Sequence, residues 1–394
     1  MKADRLRLTR LGGVVAAAIA VVIGLAACSS SGTGGGGGGP SASPAVIVPV
    51  AGCGAAAHTD PTDRSNNRTI ARCSSGAPAP QKLLQPHTVV IAGASKGEYS
   101  APVLLGMAKG EFAKENLTVK FVQMPSSDAT VQLASGKVDA ALAAPYVSFT
   151  NGVASGLDLK LTLANYSPQY GGDATKPQSG LWVRRADFAD PQKPDLAQLK
   201  GKRICNTLGN GTVSVYWMQK AVQAAGISLK DVTWSALQPA DCVTALQQGA
   251  VSAAYLLDPF WTQIKNQADK YALVAVQPNE PNGAILYGPN LLEKHRDVGE
   301  AFARAYIRTI NTYLGPGYHQ NATVVNDLAQ EIGVEPSAIT NGYELKFEWE
   351  WRSGILDDIQ KTYLELGTQK AAVIPEDKLV DRSFYNQAVG YNGK

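Results

Sequence analysis

The chain has 394 residues, 45% of them apolar, so it is long enough to bury the cores of two domains. Its 36 basic and 33 acidic residues nearly cancel, and a net charge of +3 argues against a nucleic-acid partner. Four scattered histidines and the lack of any C-x-x-C pair predict no metal site.

The first 28 residues are typical of an exported lipoprotein. Four basic residues precede a short apolar run at 14–25, and two alanines lead directly to Cys28. The run is shorter than the ~20 apolar residues that span a bilayer, which favours a cleaved signal peptide over residues 1–27. The pattern predicts a lipidated Cys28 and an extracytoplasmic protein anchored in the lipid bilayer of the cell membrane, with an ordinary signal peptide as the alternative.

Residues 28–86 have the composition of a linker. Six consecutive glycines precede a stretch rich in Pro, Ala and Ser, and such chains behave as flexible coils, so we expect a tether. In an oxidising compartment the cysteines are expected to pair, Cys53 with Cys73 around a polar loop inside the tether, and Cys205 with Cys242 further along the chain.

From residue 87 onward, short apolar runs alternate with amphipathic segments, a pattern typical of βαβ units in an α/β sheet. The predicted strands and helices of the first block are, in order, 88–92, 101–114 (helix), 117–123, 129–135 (helix), 138–142 and 159–164. A second block repeats this order from residue 203, with helices at 212–225 and 240–248 and strands at 232–235 and 253–257.

An ungapped shift of 113 residues superimposes the two blocks. Asp128 falls on Asp241 at a predicted helix N-cap, and Gly136 falls on Gly249 at the helix end, where glycine is favoured. We therefore expect two α/β lobes of similar construction, and generic βαβ similarity is the alternative interpretation.

The last third of the chain is predicted to be helical, at 298–314, 322–332 and 351–366. These helices belong to neither block, so we expect them to complete the first lobe. The expected organisation is lobe I over 87–180, lobe II over 181–275, and a return to lobe I over 276–394.

Four stretches resemble a known family: 104–119, 133–140, 199–204 and 249–260. In order and spacing they are similar to type II periplasmic binding proteins of the sulfonate, taurine, nitrate and thiamine-precursor branch. The resemblance implies two lobes joined by crossovers near 179–184 and 274–286, with a solute clamped between them. It also implies an ABC permease and its ATPase as partners. We expect a monomer without a cofactor.

In open α/β sheets, ligands bind beyond the carboxyl ends of the strands, which selects the loops after four predicted strands. The candidate ligand-binding residues in these loops are Ser95, Lys96, Tyr99, Tyr146, Asn210, Gly211, Thr212, Ser214, Asp258, Phe260 and Trp261.

The loop that contains Thr212 and Ser214 opens a helix, and a helix N-terminus attracts sulfonate, carboxylate or phosphate groups. Simple capping by Thr212 is the alternative. Asp258 is suited to pair with an amine or, alternatively, to cap the next turn. The aromatic residues are suited to stack on a ring or to pack in the core.

These features predict a solute-binding component of an ABC importer that clamps a small organic anion or zwitterion, such as a sulfonate or taurine. The alternatives are a nitrogen heterocycle as ligand, such as a thiamine precursor or flavin, an enzyme of the pyrimidine-synthase type, or a sensory receptor without a permease. No catalytic residues are expected, because the sequence has no G-x-S-x-G elbow and very few histidines.

Overall fold

The computed structural model describes residues 46–206, 209–258 and 260–392. The signal peptide, Cys28 and the glycine run lie outside these ranges. The strands of the described part are β1 (Val46–Ile47), β2 (His87–Gly93), β3 (Leu117–Gln123), β4 (Ala140–Ala143), β5 (Lys160–Ala164), β6 (Tyr166–Pro168), β7 (Gly180–Arg184), β8 (Arg203–Asn206), β9 (Thr233–Ser235), β10 (Ala253–Leu256), β11 (Tyr271–Val276), β12 (Ala284–Tyr287), β13 (Leu345–Phe347) and β14 (Tyr391–Asn392).

The helices of the same ranges cover both sheets and the C-terminal third. They are α1 (Ala101–Ala108), α2 (Ser126–Ala134), α3 (Val147–Ala154), α4 (Ser214–Ala224), α5 (Pro239–Gln247), α6 (Arg296–Tyr313), α7 (Ala322–Ile332), α8 (Pro336–Thr340), α9 (Ile355–Glu365), α10 (Glu376–Leu379) and α11 (Ser383–Val389). None of these helices is long and apolar enough to cross a membrane.

Two five-stranded sheets with one shared topology form the two lobes. The lobe I sheet has the order β3-β2-β4-β12-β5, and the lobe II sheet has the order β9-β8-β10-β7-β11. In each, three parallel strands are followed by one antiparallel strand, β12 or β7, that the chain inserts as it passes between the lobes. The two-lobed α/β class is thereby confirmed.

The internal repeat is visible in the element boundaries. Helices α2 and α5 begin 113 residues apart (239 − 126), and so do strands β4 and β10 (253 − 140). Gly136 and Gly249 both follow their helices with positive φ, at 71° and 73°. The predicted N-caps were wrong, because Asp128 and Asp241 are the third residues of their helices, where a carboxylate still favours the positive end of the helix dipole.

Two crossovers, 165–179 and 277–283, join the lobes. They lie side by side, since the Asn282 N–H donates to the Tyr166 carbonyl over 2.6 Å and the Gly172 N–H donates to the Gln277 carbonyl over 2.8 Å. The predicted first crossover at 179–184 was wrong. That stretch is almost entirely the buried strand β7, whose apolar side chains belong to the lobe II core.

The C-terminal third covers lobe I and also reaches lobe II. Helix α6 packs on α1 and α11, as expected for the first lobe, whereas α9 contacts both α3 of lobe I and α4 of lobe II. Helix α9 begins at Ile355 rather than at 351 because a turn at 353–354 precedes it, in which Gly354 adopts a φ of 80°. Before this turn, Trp349 is buried in the lobe I core and Trp351 in the neighbouring core.

The expected flexible tether over 28–86 was wrong for its second half. Strand β1 pairs with β14, Cys53 is bonded to Cys73, and Ala57, Ala71 and Ala77 are buried in the lobe I core. This segment has little apolar periodicity. It is held instead by side-chain and backbone hydrogen bonds, many of them from arginines, which hydrophobic patterning does not reveal.

Candidate functional site

The candidate site is the cleft at the carboxyl ends of the parallel strands of both sheets. The loops that follow β2 and β4 border it on lobe I, and those that follow β8 and β10 border it on lobe II. The lobes meet at one edge of the cleft, where a Cβ atom added to Gly211 would lie 3.0 Å from Val147 Cγ1.

A group of tyrosines lines the lobe I side of the cleft. Tyr99 follows β2, Tyr146 follows β4, and Tyr166 lies in the first crossover; all three are half-buried. Burial raises the pKa of Tyr166, and the negative charge of Asp258 and the nearby phenols of Tyr146 and Tyr99 raise it further. The phenol of Tyr166 also accepts a 2.7 Å hydrogen bond from Asn282 Nδ2. Tyr166 therefore stays protonated, and the three side chains offer ring faces to a ligand. The Tyr99 hydroxyl is already engaged, since it donates to the Ser95 carbonyl over 2.7 Å.

Asp258 is an acidic group of the cleft. Its carboxylate accepts hydrogen bonds from the Ser179 hydroxyl, over 2.8 Å, and from the Trp261 indole N–H, and burial raises its pKa. The side chain is accessible to solvent although protein surrounds it, as expected for a group in a concave site. Among the described residues no Lys or Arg pairs with it, so its charge is available to a cationic ligand group.

Asp258 also shows how the repeat builds the site. The 113-residue shift places it on Pro145 of lobe I, so the two lobes have equivalent loops with different chemistry. Lobe I presents phenols at this edge, and lobe II presents the carboxylate.

The predicted anion site at the start of α4 is a closed network. Thr212 Oγ1 and Ser214 Oγ are 2.7 Å apart, and both are hydrogen-bonded at 3.0 Å to the side-chain amide of Asn206. Both hydroxyls are buried, and the N-cap residue is Val213 rather than Thr212, without a side-chain cap. An anion at this end of the helix would meet backbone N–H groups and the helix dipole rather than free hydroxyls.

Other predicted residues are placed differently. The Lys96 ammonium donates to the Glu331 carbonyl in α7 over 3.0 Å, and Ser95 is hydrogen-bonded to Tyr99. Trp261 is buried behind Asp258, and its ring stacks on that of Tyr343 with 6.0 Å between the ring centroids. It therefore orients the carboxylate instead of lining the ligand site.

Asn210 and Phe260 are half-buried in their loops. The structure adds Tyr166, Ser179 and Tyr255 to the site. The Tyr255 phenol accepts a 3.0 Å hydrogen bond from Gln277, and burial raises its pKa. The first two lie in or next to the first crossover, which the strand-end rule does not select.

No group of three or more His, Cys, Asp or Glu in the described ranges is suited to hold a metal ion. The second predicted cysteine pair is bonded, Cys205 to Cys242, and it lies in the lobe II core.

The strand order, the two crossovers and the interlobe cleft define a two-lobed type II periplasmic binding protein. The sequence matches the NMT1-like family over residues 93–325, more than half of the chain, and the chain belongs to that family. The resemblance inferred from the four sequence stretches is thus confirmed. No curated protein matches the sequence.

Solved structures share the fold at low sequence identity. The alkanesulfonate-binding protein SsuA of Xanthomonas axonopodis pv. citri, bound to MOPS, is 16% identical, with a TM-score of 0.54 over 76% of this chain and 99% of that one. The aliphatic sulphonate-binding protein SsuA of Escherichia coli is 18% identical, with a TM-score of 0.55 over 75% and 92%. The nitrate-binding protein NrtA of Synechocystis PCC 6803 is 15% identical, with a TM-score of 0.57 over 78% and 89%.

The contact between the lobes leads to one testable prediction. Gly211→Leu should place a side chain against Val147 and keep the lobes apart. Solute binding should weaken by about tenfold or more, because closure of the lobes then requires packed atoms to rearrange. Isothermal titration calorimetry measures the change. Gly315→Leu is the matched control, since a Cβ atom there meets open space. Equal affinities for the two variants would show that the lobes do not need this contact.

Proposed function

We propose that the chain is the extracytoplasmic solute-binding component of an ABC importer and that it closes around one small, amine-bearing solute. The family and the type II fold support the general role. The cleft supports the narrower choice, a zwitterion of the taurine type whose amine pairs with Asp258. The acidic group of the zwitterion would then lie toward the N-terminus of α4.

The observation on which this choice rests is that no Lys or Arg of the described ranges forms an ion pair with the carboxylate of Asp258. An anion without an amine would be repelled by this negative charge at close range. An amine would replace the lost hydration of the carboxylate with a charge-assisted hydrogen bond. Ser179 and Trp261 already fix the orientation of the carboxylate, so little ordering is required when the solute binds.

A second candidate ligand is a protonated nitrogen heterocycle, and the tyrosines favour it. Tyr99, Tyr146 and Tyr166 place several aromatic rings on the lobe I side, opposite the carboxylate. A flat cationic ring could stack on a phenol and pair its N–H with Asp258. With either candidate ligand, the chain acts as a solute-binding protein.

A thermal-shift screen with a divided panel tests the proposal. One group contains taurine and other amino sulfonates, the second contains aminopyrimidines and flavins, and the third contains alkanesulfonates and nitrate without an amine. We expect a rise in melting temperature from a member of the first or second group. Stabilisation by the third group alone would reject the amine-bearing solute, and stabilisation by none would reject the solute class.

We also propose that the protein is anchored in the cell membrane through acyl chains on Cys28. The basic start, the short apolar run and the small residues before the cysteine support this. Cys28→Ser should shift the protein from the membrane pellet to the soluble fraction, because multiple acyl chains are needed for stable anchoring. Fractionation with immunoblotting measures it, and an unchanged distribution would contradict the anchor.

A further inference from the structure

Residues 58–72 of the N-terminal segment lie along the two crossovers, and we name this stretch the strap. Its Arg68 side chain is fully buried and contacts both crossovers at once. The guanidinium donates to the Ser167 hydroxyl of the first crossover, over 2.7 Å, and to the Asn279 carbonyl of the second. Asn279 in turn donates to the Asn66 carbonyl over 2.6 Å, so the strap and the second crossover each donate a hydrogen bond to the other.

The charge of Arg68 is balanced by Glu348, whose carboxylate lies 2.5 Å from the guanidinium and is itself buried. Glu348 directly follows β13 in the C-terminal segment, and β13 pairs with β6 in the first crossover. The hinge thus consists of four adjoining segments: the two crossovers, this C-terminal segment and the strap. A buried ion pair of this kind strongly favours one arrangement, since separating its members leaves a desolvated charge.

Arg64 extends the strap to lobe II. Its guanidinium donates to Glu280 in the second crossover over 2.6 Å, to Asp358 in α9 over 3.0 Å, and to the Tyr216 hydroxyl in α4 over 2.9 Å. Tyr216 also donates to Glu280 over 3.1 Å, which closes the group. A segment that only covered the hinge would not need this contact with a lobe II helix.

Both ends of the strap are attached to lobe I and the C-terminal segment. At its start, the Thr59 N–H donates to Glu350 over 3.0 Å. At its end, Arg72 donates to the Phe347 carbonyl over 2.7 Å, and the bond from Cys53 to Cys73 joins the two flanks. The strap is therefore fixed on the lobe I side and reaches lobe II through Arg64.

We propose that the strap restrains the hinge and holds the ligand-free lobes in their resting arrangement, with the Arg64–Tyr216–Glu280 group as the contact that responds to lobe movement. The strap precedes the region that matches the family, residues 93–325, so it lies outside the matched core. Opening or closing the cleft would rotate α4 relative to the crossovers and change this contact. The strap thereby biases an equilibrium between lobe arrangements.

Hydrogen–deuterium exchange of the ligand-free full chain tests this inference, and it does not depend on which solute binds. Arg64→Met keeps the aliphatic stem and removes the donors. We expect exchange of the crossover amides, residues 165–179 and 277–283, to accelerate by about tenfold or more, since charged hydrogen bonds that restrict local opening are lost. Tyr216→Phe, which keeps the ring in the core, should accelerate the same peptides by a smaller factor.

Arg185→Met is the matched control, because its guanidinium donates to the Ala268 and Pro191 carbonyls in lobe II, away from the hinge. It should leave the crossover peptides unchanged. Unchanged exchange in both Arg64→Met and Tyr216→Phe would overturn the inference, as would equal acceleration by the control. If Arg64→Met does not fold, the Tyr216→Phe result alone decides.

Discussion

Asp258→Asn is expected to weaken binding of the amine-bearing panel solute by about 30-fold or more. Loss of one partner of a desolvated charge pair costs about 2–5 kcal/mol, and 1.4 kcal/mol corresponds to tenfold in affinity. Asparagine keeps the shape and a hydrogen-bond acceptor for Ser179 or Trp261, so the change isolates the charge. Calorimetric titration of wild type and variant measures the ratio.

The control for this variant is Asp269→Asn. Asp269 is exposed and precedes β11 at the end of that strand far from the crossover. Its replacement should leave affinity within a factor of two. If both variants bind the amine-bearing solute as wild type does, Asp258 does not contact the amine.

The pH dependence of both binding and stability follows from the raised pKa of Asp258. Binding of an amine should fall when the pH drops through this pKa, which burial raises above the ordinary value of an aspartate. In the ligand-free protein, the pH dependence of stability has the opposite sign. The folded state disfavours the ionised carboxylate, so the stability present at low pH is lost as the pH rises through the folded-state pKa. Asp258→Asn should therefore raise the ligand-free melting temperature at neutral pH while it weakens binding.

Arg308→Met should lower the free energy of unfolding by about 3–5 kcal/mol, because it removes one partner from a buried ionic group. Arg308 lies in α6 and is almost fully buried. It contacts Glu111 and Glu115, each at 2.8 Å, and donates to the Pro78 carbonyl over 3.0 Å. The variant leaves two buried carboxylates with less compensation and frees the segment that leads into lobe I. Urea unfolding followed by tryptophan fluorescence measures the loss.

Arg296→Met on the same helix is the control. Arg296 is 41% exposed and pairs with Glu300 and Asp381 at longer distances, 3.4 and 3.7 Å. Exposed pairs contribute about 0–1 kcal/mol, so the control should lose little. Similar losses in the two variants would mean that the buried group contributes no more than a surface pair.

The fold was predictable where the hydrophobic periodicity agrees with the residues that start and end a helix or strand. Strand β3 and helix α7 have the predicted bounds, the latter because Asn321 caps its start and Gly333 follows its end with positive φ. Helix α1 was predicted too long by six residues (114 − 108). The apolar pattern continues past Lys109, but Gly110 adopts a φ of 70° and ends the helix.

The site was predictable only in part. Asp258 and Tyr99 were predicted as candidates because they follow strands at the carboxyl edge of a sheet, and the structure places both near Tyr166. Tyr166 and Ser179 were missed because a crossover brings them to the cleft, and no local pattern encodes that path. The strap was missed for a related reason: Arg64 and Arg68 bond to residues more than 95 positions away.

The most direct test of the central claim is equilibrium dialysis of the purified protein against the stabilising panel solute, with mass spectrometry of the solute recovered afterwards. We predict one solute bound per chain and recovered unchanged, with binding lost on Asp258→Asn. Conversion of the solute to a product, or binding that the Asp258 variant leaves intact, would contradict a binding protein that holds an amine in its cleft.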